Sequence, residues 1–125
     1  MKANELRTGN LVMGEVITHE VDHKILWEIS EYPGLYKPIP LTEEWLLKLG
    51  FIYDEHKKRL GISFNPQAQW FTLFLMKHDF GFWIIISTNN RTKEINIGTK
   101  KYIHEVQNLY FALTGEELCS SVPPQ

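Results

Sequence analysis

A chain of 125 residues with 13 lysines and arginines, 15 aspartates and glutamates and a formal net charge of −2 is expected to form one domain over residues 1–125, since single cores usually take roughly 100–200 residues. An apolar share of 43%, with four Trp, five Tyr and seven Phe, excludes a disordered chain, which lacks the surface to offset backbone entropy. A single cysteine, Cys119, excludes an internal disulfide framework and favours a reducing, cytoplasmic setting. No run approaches the roughly 18 apolar residues of a spanning helix, and the opening MKANELRTGNLVMG has no leader-like run, so no membrane contact is expected.

In chain order, Asn10 to Met13 and Glu15 to Val21, with Val16 in partial alternation, read as short strands. Lys24 to Ile29 reads as a third, reached through a tight turn at Asp22-His23. Ser30 to Pro40 is a surface loop, because Pro33, Gly34, Pro38 and Pro40 remove donors and favour extended backbone. A short helix follows at Thr42 to Leu49. Thr42 is its N-cap, Glu43 and Glu44 complement the dipole in the first turn, and Gly50 closes it.

Phe51 to Tyr53 and Arg59 to Phe64 are strands around a charged turn, and Asn65-Pro66 ends the second. The densest stretch is the hairpin Trp70 to Met76 and Phe82 to Ile86. Apolar residues occupy both faces of each strand, so both faces call for burial and a second copy of the chain is one way to cover them. Glu94 to Ile97 is a last strand. Lys100 to Leu118 is the one long amphipathic helix: Tyr102, Ile103, Val106, Leu109, Tyr110 and Leu113 share a face, and Gly115 stops it. Ser120 to Gln125, with Pro123 and Pro124, reads as a flexible tail.

The charge is unevenly distributed. Residues 1–54 hold five basic and nine acidic residues, whereas residues 55–125 hold eight and six. All eight of those bases lie between Lys57 and Lys101 (Lys57, Lys58, Arg59, Lys77, Arg91, Lys93, Lys100 and Lys101), against two acids, Asp79 and Glu94. Such a segment suits a polyanion or an acidic protein surface. Lys100 and Lys101 are expected in the first turn of the long helix, where they oppose its dipole. There they either help free N–H groups to hold a phosphate or carboxylate, reinforced by Arg91 and Lys93, or simply extend into water. Phe111 projects about 140° from the centre of the apolar face, on the side of His104 and Asn108. It either meets a segment wrapping the helix or anchors a partner.

Catalytic patterns are absent: there is no G-x-S-x-G, no glycine-rich phosphate loop and no H-E-x-x-H. Cys119, at a helix end before a Pro-rich tail, reads as a spectator thiol. His19 and His23 are four apart but have no third ligand nearby in sequence, so neither a metal nor a cofactor is expected. Asn90-Arg91-Thr92 matches a glycosylation sequon only by chance in a cytoplasmic chain.

The segments NELRTGNLV (Asn4 to Val12), PIPLTEEWLLKLGF (Pro38 to Phe51) and KYIHEVQNLYFALTGEEL (Lys101 to Leu118) resemble a family of small, largely uncharacterised proteins encoded by phages and mobile elements of Bacteroidota. The resemblance covers under half the chain, in cap and core patterns, and brings no catalytic residues with it. It implies a non-enzymatic accessory protein that binds a host protein or nucleoprotein stoichiometrically, as anti-CRISPR inhibitors do. The alternative is a DNA-binding or structural module of a mobile element. In the first case Lys57, Lys58, Arg59, Arg91, Lys93, Lys100 and Lys101 would engage RNA or an acidic groove. The expected fold is α+β, an antiparallel sheet of about six or seven strands with the long C-terminal helix packed on it and a short central helix.

Overall fold

The structure, a computed structural model, describes residues 1–15, 17–64, 71–87 and 93–118. Val16, Asn65-Pro66, Trp70, the Asn90-Arg91-Thr92 tripeptide, Cys119 and the tail from Ser120 lie outside the described residues. The fold is α+β with antiparallel pairing throughout, but the strands divide into two sheets, of three and five strands, where one was expected. Each sheet belongs to its own compact unit. The first unit is Met1–Pro40 together with the segment from Tyr102 onward, and the second is Leu41–Lys101.

In the first unit, β1 (Leu11–Met13) is central, flanked by β2 (Thr18–Glu20) and the two-residue β3 (Lys37–Pro38). Pairing of Val12 with both His19 and Pro38 sets the register. The expected strand at Lys24 to Ile29 is instead a helix, α1 (His23–Glu31). The expected turn residue Asp22 is its N-cap, with a carboxylate that accepts from the Ile25 amide at 2.8 Å. Ile25 and Ile29, one helical turn apart, are buried with Val12 and Val21, and Met1, Leu6, Leu26 and Tyr36 pack around them. The apolar run misleads because Trp27 within it faces outward, 57% exposed. The long helix, α3 (Ile103–Thr114), also belongs to this unit and ends at Gly115 in the left-handed conformation (φ 76°), as the sequence predicts.

The buried face of α3 is wider than its apolar stripe. Ile103, Val106 and Tyr110 are buried as expected, but so are His104 and Gln107, while Leu113 is exposed. The extra coverage comes from the N-terminal segment. The Leu11 amide donates to Gln107 Oε1 at 2.8 Å, Gln107 Nε2 donates to the Leu118 carbonyl at 3.2 Å, and Asn10 Nδ2 donates to Asn108 Oδ1 at 2.8 Å. A buried amide side chain is tolerated where its bonds are made.

The second unit opens with α2 (Glu43–Lys48), capped by Thr42 Oγ1, which accepts from the Trp45 amide at 3.1 Å. Gly50 (φ 100°) turns the chain out of the helix. A five-stranded meander follows in sequence order: β4 (Ile52–Asp54), β5 (Arg59–Phe64), β6 (Phe71–His78), β7 (Gly81–Ser87) and β8 (Glu94–Lys100). On one face Leu60, Leu75 and Ile84 are cross-strand neighbours, with Leu73 beside them and Phe82 at the end. All five are 0–2% exposed. Full burial of each contributes about 1.5–3 kcal/mol.

Gly81 opens β7 with φ 145°, and a Cβ there would lie 2.6 Å from the Lys100 carbonyl oxygen. Both the conformation and the strand spacing therefore require glycine. Gly81→Ala is expected to lower unfolding free energy by about 1–2 kcal/mol, read as a lower urea midpoint. An unchanged midpoint would mean that β8 yields freely at this point.

Candidate functional site

The up-and-down course of the meander decides where the basic residues collect. The β4–β5 turn, the β6–β7 turn and the C-terminal end of β8 all fall at the same end of the five-stranded sheet. Lys57 and Lys58 occupy the first turn, Lys77 lies just before the second, and Lys100 and Lys101 lie at the strand end. Asp54 organises the first turn: Oδ1 accepts from the His56 and Lys57 amides at 3.0 and 3.2 Å, and the Asp54 carbonyl accepts from the Lys58 amide at 2.7 Å. Both lysines are exposed there. In register, Lys77 pairs with Phe82 and Phe82 with Lys100, so these two lysines flank one buried ring on a single face.

Other expected members of the surface lie elsewhere. Lys93 precedes the opposite end of β8, and Arg91 is outside the described residues. Arg59 is only 2% exposed. Its guanidinium lies 3.7 Å from the centre of the Phe74 ring and donates to the Glu94 carboxylate, with Nη1 at 3.2 Å from Oε1. Gly61 makes this arrangement possible, since a Cβ there would fall 2.6 Å from Phe74 Cε1. The cation is thus consumed inside the unit by a ring and a carboxylate, and it is not part of the open basic surface.

Lys100 and Lys101 also depart from expectation. They end a strand and precede the helix instead of opening its first turn. The α3 N-terminus is served by its own acid: Glu105 Oε1 accepts from the Tyr102 amide at 3.0 Å. A carboxylate in the first turn satisfies the dipole without an external anion, which leaves the anion site, one of the two readings of these lysines, without its helix start.

Phe111 is 38% exposed and carries the Arg7 guanidinium over its ring, 4.1 Å from the centre. Arg7 also donates to Asn108 Oδ1 at 3.1 Å, to the Gln107 carbonyl at 3.3 Å and to Glu117. Of the two readings open in the sequence, contact with a wrapping segment is the one observed. Nearby, His104 is 2% exposed, with Nε2 3.8 Å from Glu5 Oε2. Burial pushes its pKa below the ordinary imidazole value, outweighing the opposite pull of Glu105 and Glu5. The ring is therefore held neutral, stacked on Tyr102 at 5.9 Å.

The chain matches no family model, no curated protein and no solved structure. Among the described residues there is no group of three His, Cys, Asp or Glu side chains placed to hold a metal, and no helix is long and apolar enough to cross a membrane.

Two aromatic residues at the basic end escaped the sequence reading. Phe80, at the tip of the β6–β7 turn, is 76% exposed, and Trp83 is 39% exposed. His78 links them, with its ring centre 4.7 Å from Trp83 and 6.4 Å from Phe80. The signal for Phe80 was its place in Lys77-His78-Asp79-Phe80-Gly81, because a turn tip cannot bury a large ring. Trp83 carried no such signal. A separate groove of about 660 Å³ lies over β4 and β5, lined by Ile52, Asp54, Gly61, Ser63, Thr72 and Phe74 among others.

Proposed function

We propose that this chain is a non-enzymatic binding protein of the phage accessory type, which engages a host defence nucleoprotein stoichiometrically and inhibits it, in the manner of anti-CRISPR proteins. The observation that carries the reading is the gathering of Lys57, Lys58, Lys77, Lys100 and Lys101 at one end of the five-stranded sheet. Five ammonium groups on strand ends and tight turns present a preformed positive surface, which steers a polyanion and costs little ordering on binding. The resemblance to proteins of phages and mobile elements supplies the biological setting.

The test is a pull-down from host lysate with and without nuclease, comparing wild type with Lys57→Glu/Lys58→Glu and Lys100→Glu/Lys101→Glu. The expected result is capture of one nucleoprotein by wild type and its loss in both charge-reversed forms, each checked for folding by circular dichroism. Capture unchanged by reversal removes the lysine end from the binding surface and overturns the proposal in this form. Salt-sensitive binding to naked duplex DNA, with no assembled effector captured, would assign the chain to the DNA-binding modules of mobile elements instead.

A further inference from the structure

We infer that the β6–β7 hairpin tip is a stacking platform for the unpaired bases of a single-stranded nucleic acid, with Phe80 and Trp83 as the base-contacting rings. This inference rests on the basic-surface reading above and names what that surface holds.

The alternation of β-strands divides the hairpin end into two sides. Met76, His78 and Trp83 lie on one face, Trp83 between Met76 and Thr99 in register, while Lys77 and Lys100 lie on the other. The Lys101 side chain passes Gly81, where a Cβ would sit 3.3 Å from Lys101 Cγ, bringing a third lysine to the ring side. Phe80 stands at the tip between the two sides. A single strand crossing the tip thus meets rings where its bases turn and ammonium groups where its phosphates run. This combination of aromatic faces with a cationic track is how proteins hold single strands without reading sequence.

Two details favour unpaired bases over other polyanions. The tip is preorganised: the Phe80 amide donates to His78 Nδ1 at 3.1 Å, which ties the turn to the end of β6. In addition, Phe80, His78 and Trp83 form a continuous series of ring contacts instead of a lone exposed side chain. A duplex keeps its bases stacked internally and offers such rings nothing but its backbone. A simple electrostatic surface would have no use for Phe80, a large ring left 76% exposed beside the lysines.

The experiment uses the full chain and fluorescein-labelled oligo(A) RNA of about 12 nucleotides, roughly the span of one such module. Oligo(dA), a DNA duplex of equal length, and heparin as a polyanion without bases are measured beside it. Wild type is expected to bind both single strands and to prefer them to the duplex. Phe80→Ala and Trp83→Ala are each expected to weaken single-strand binding by about 5- to 100-fold, leaving heparin binding unchanged. Trp83→Phe, which keeps a ring, is expected to retain binding and guards against a loss that merely reflects unfolding. If Phe80→Ala and Trp83→Ala bind RNA as wild type does while Lys100→Glu/Lys101→Glu does not, the base platform is overturned and the basic surface stands. If wild type binds neither RNA nor heparin, both readings fail together.

Discussion

Gln107→Leu should destabilise the first unit by about 2–4 kcal/mol, although leucine is apolar, similar in volume and a better helix former. Gln107 is 1% exposed, and its amide group bonds three backbone groups. Its oxygen accepts from the Leu11 amide, in a residue itself only 4% exposed, and its nitrogen donates to the Leu118 and Gly9 carbonyls at 3.2 and 3.4 Å. Leucine would strand a buried donor and a buried acceptor, each costing about 1–3 kcal/mol. Urea unfolding gives the total. Hydrogen exchange at the Leu11 amide, expected to accelerate selectively, locates it. A variant as stable as wild type would show that water replaces the amide group and that β1 does not depend on the helix for this bond.

Glu94→Ala carries the other large expected effect, about 2–3 kcal/mol, in the second unit. The price of removing it is set by its partner: Arg59 remains charged, 2% exposed and held against Phe74. Breaking a fully buried pair costs about 3–5 kcal/mol. The Glu94 side chain is 33% exposed, so solvent screens part of that cost. The double-mutant cycle separates charge from packing. Arg59→Met keeps the stem over the ring and removes the cation, and in that background Glu94→Ala should be close to neutral. Equal losses from Glu94→Ala in both backgrounds would mean that its carboxylate supports β8 by some other contact.

These two residues also mark the limits of what the sequence disclosed. Local signals were legible wherever a cap or a turn chemistry fixed them. Thr42, Gly50 and Gly115 all act as their residue types predict, and the bounds of β5 agree with the reading from Arg59 to Phe64. What stayed hidden depends on partners about 35 to 100 residues away. Arg59 reads as one more surface base until Glu94 and the space beside Gly61 are placed around it. Gln107 reads as the polar side of an amphipathic helix until Leu11 is laid across it. α1 failed for a different reason. Its apolar residues run together, so periodicity favours neither state, and Asp22 suits a tight turn as well as the helix cap it makes. At the candidate site, Lys57, Lys58, Lys100 and Lys101 were found from charge alone. Trp83 reads as core because its hairpin is apolar on both faces, and Phe80, in the connecting turn, carries no charge to mark it.

The backbone bridge at Pro40 and Tyr102 has a consequence for how such a chain can change over time. The Ile103 amide bonds the Ile39 carbonyl at 2.9 Å, and the Leu41 amide bonds the Lys101 carbonyl at 2.8 Å, so the polypeptide leaves and returns side by side. Everything from Leu41 to Lys101 is therefore a cassette with its two ends already clasped. Recombination that exchanged its interior has a fixed pair of ends to join. One frame can thus carry different interiors between the same pair of clasped ends. The lysine-bearing turns lie in the part that such exchange would rewrite.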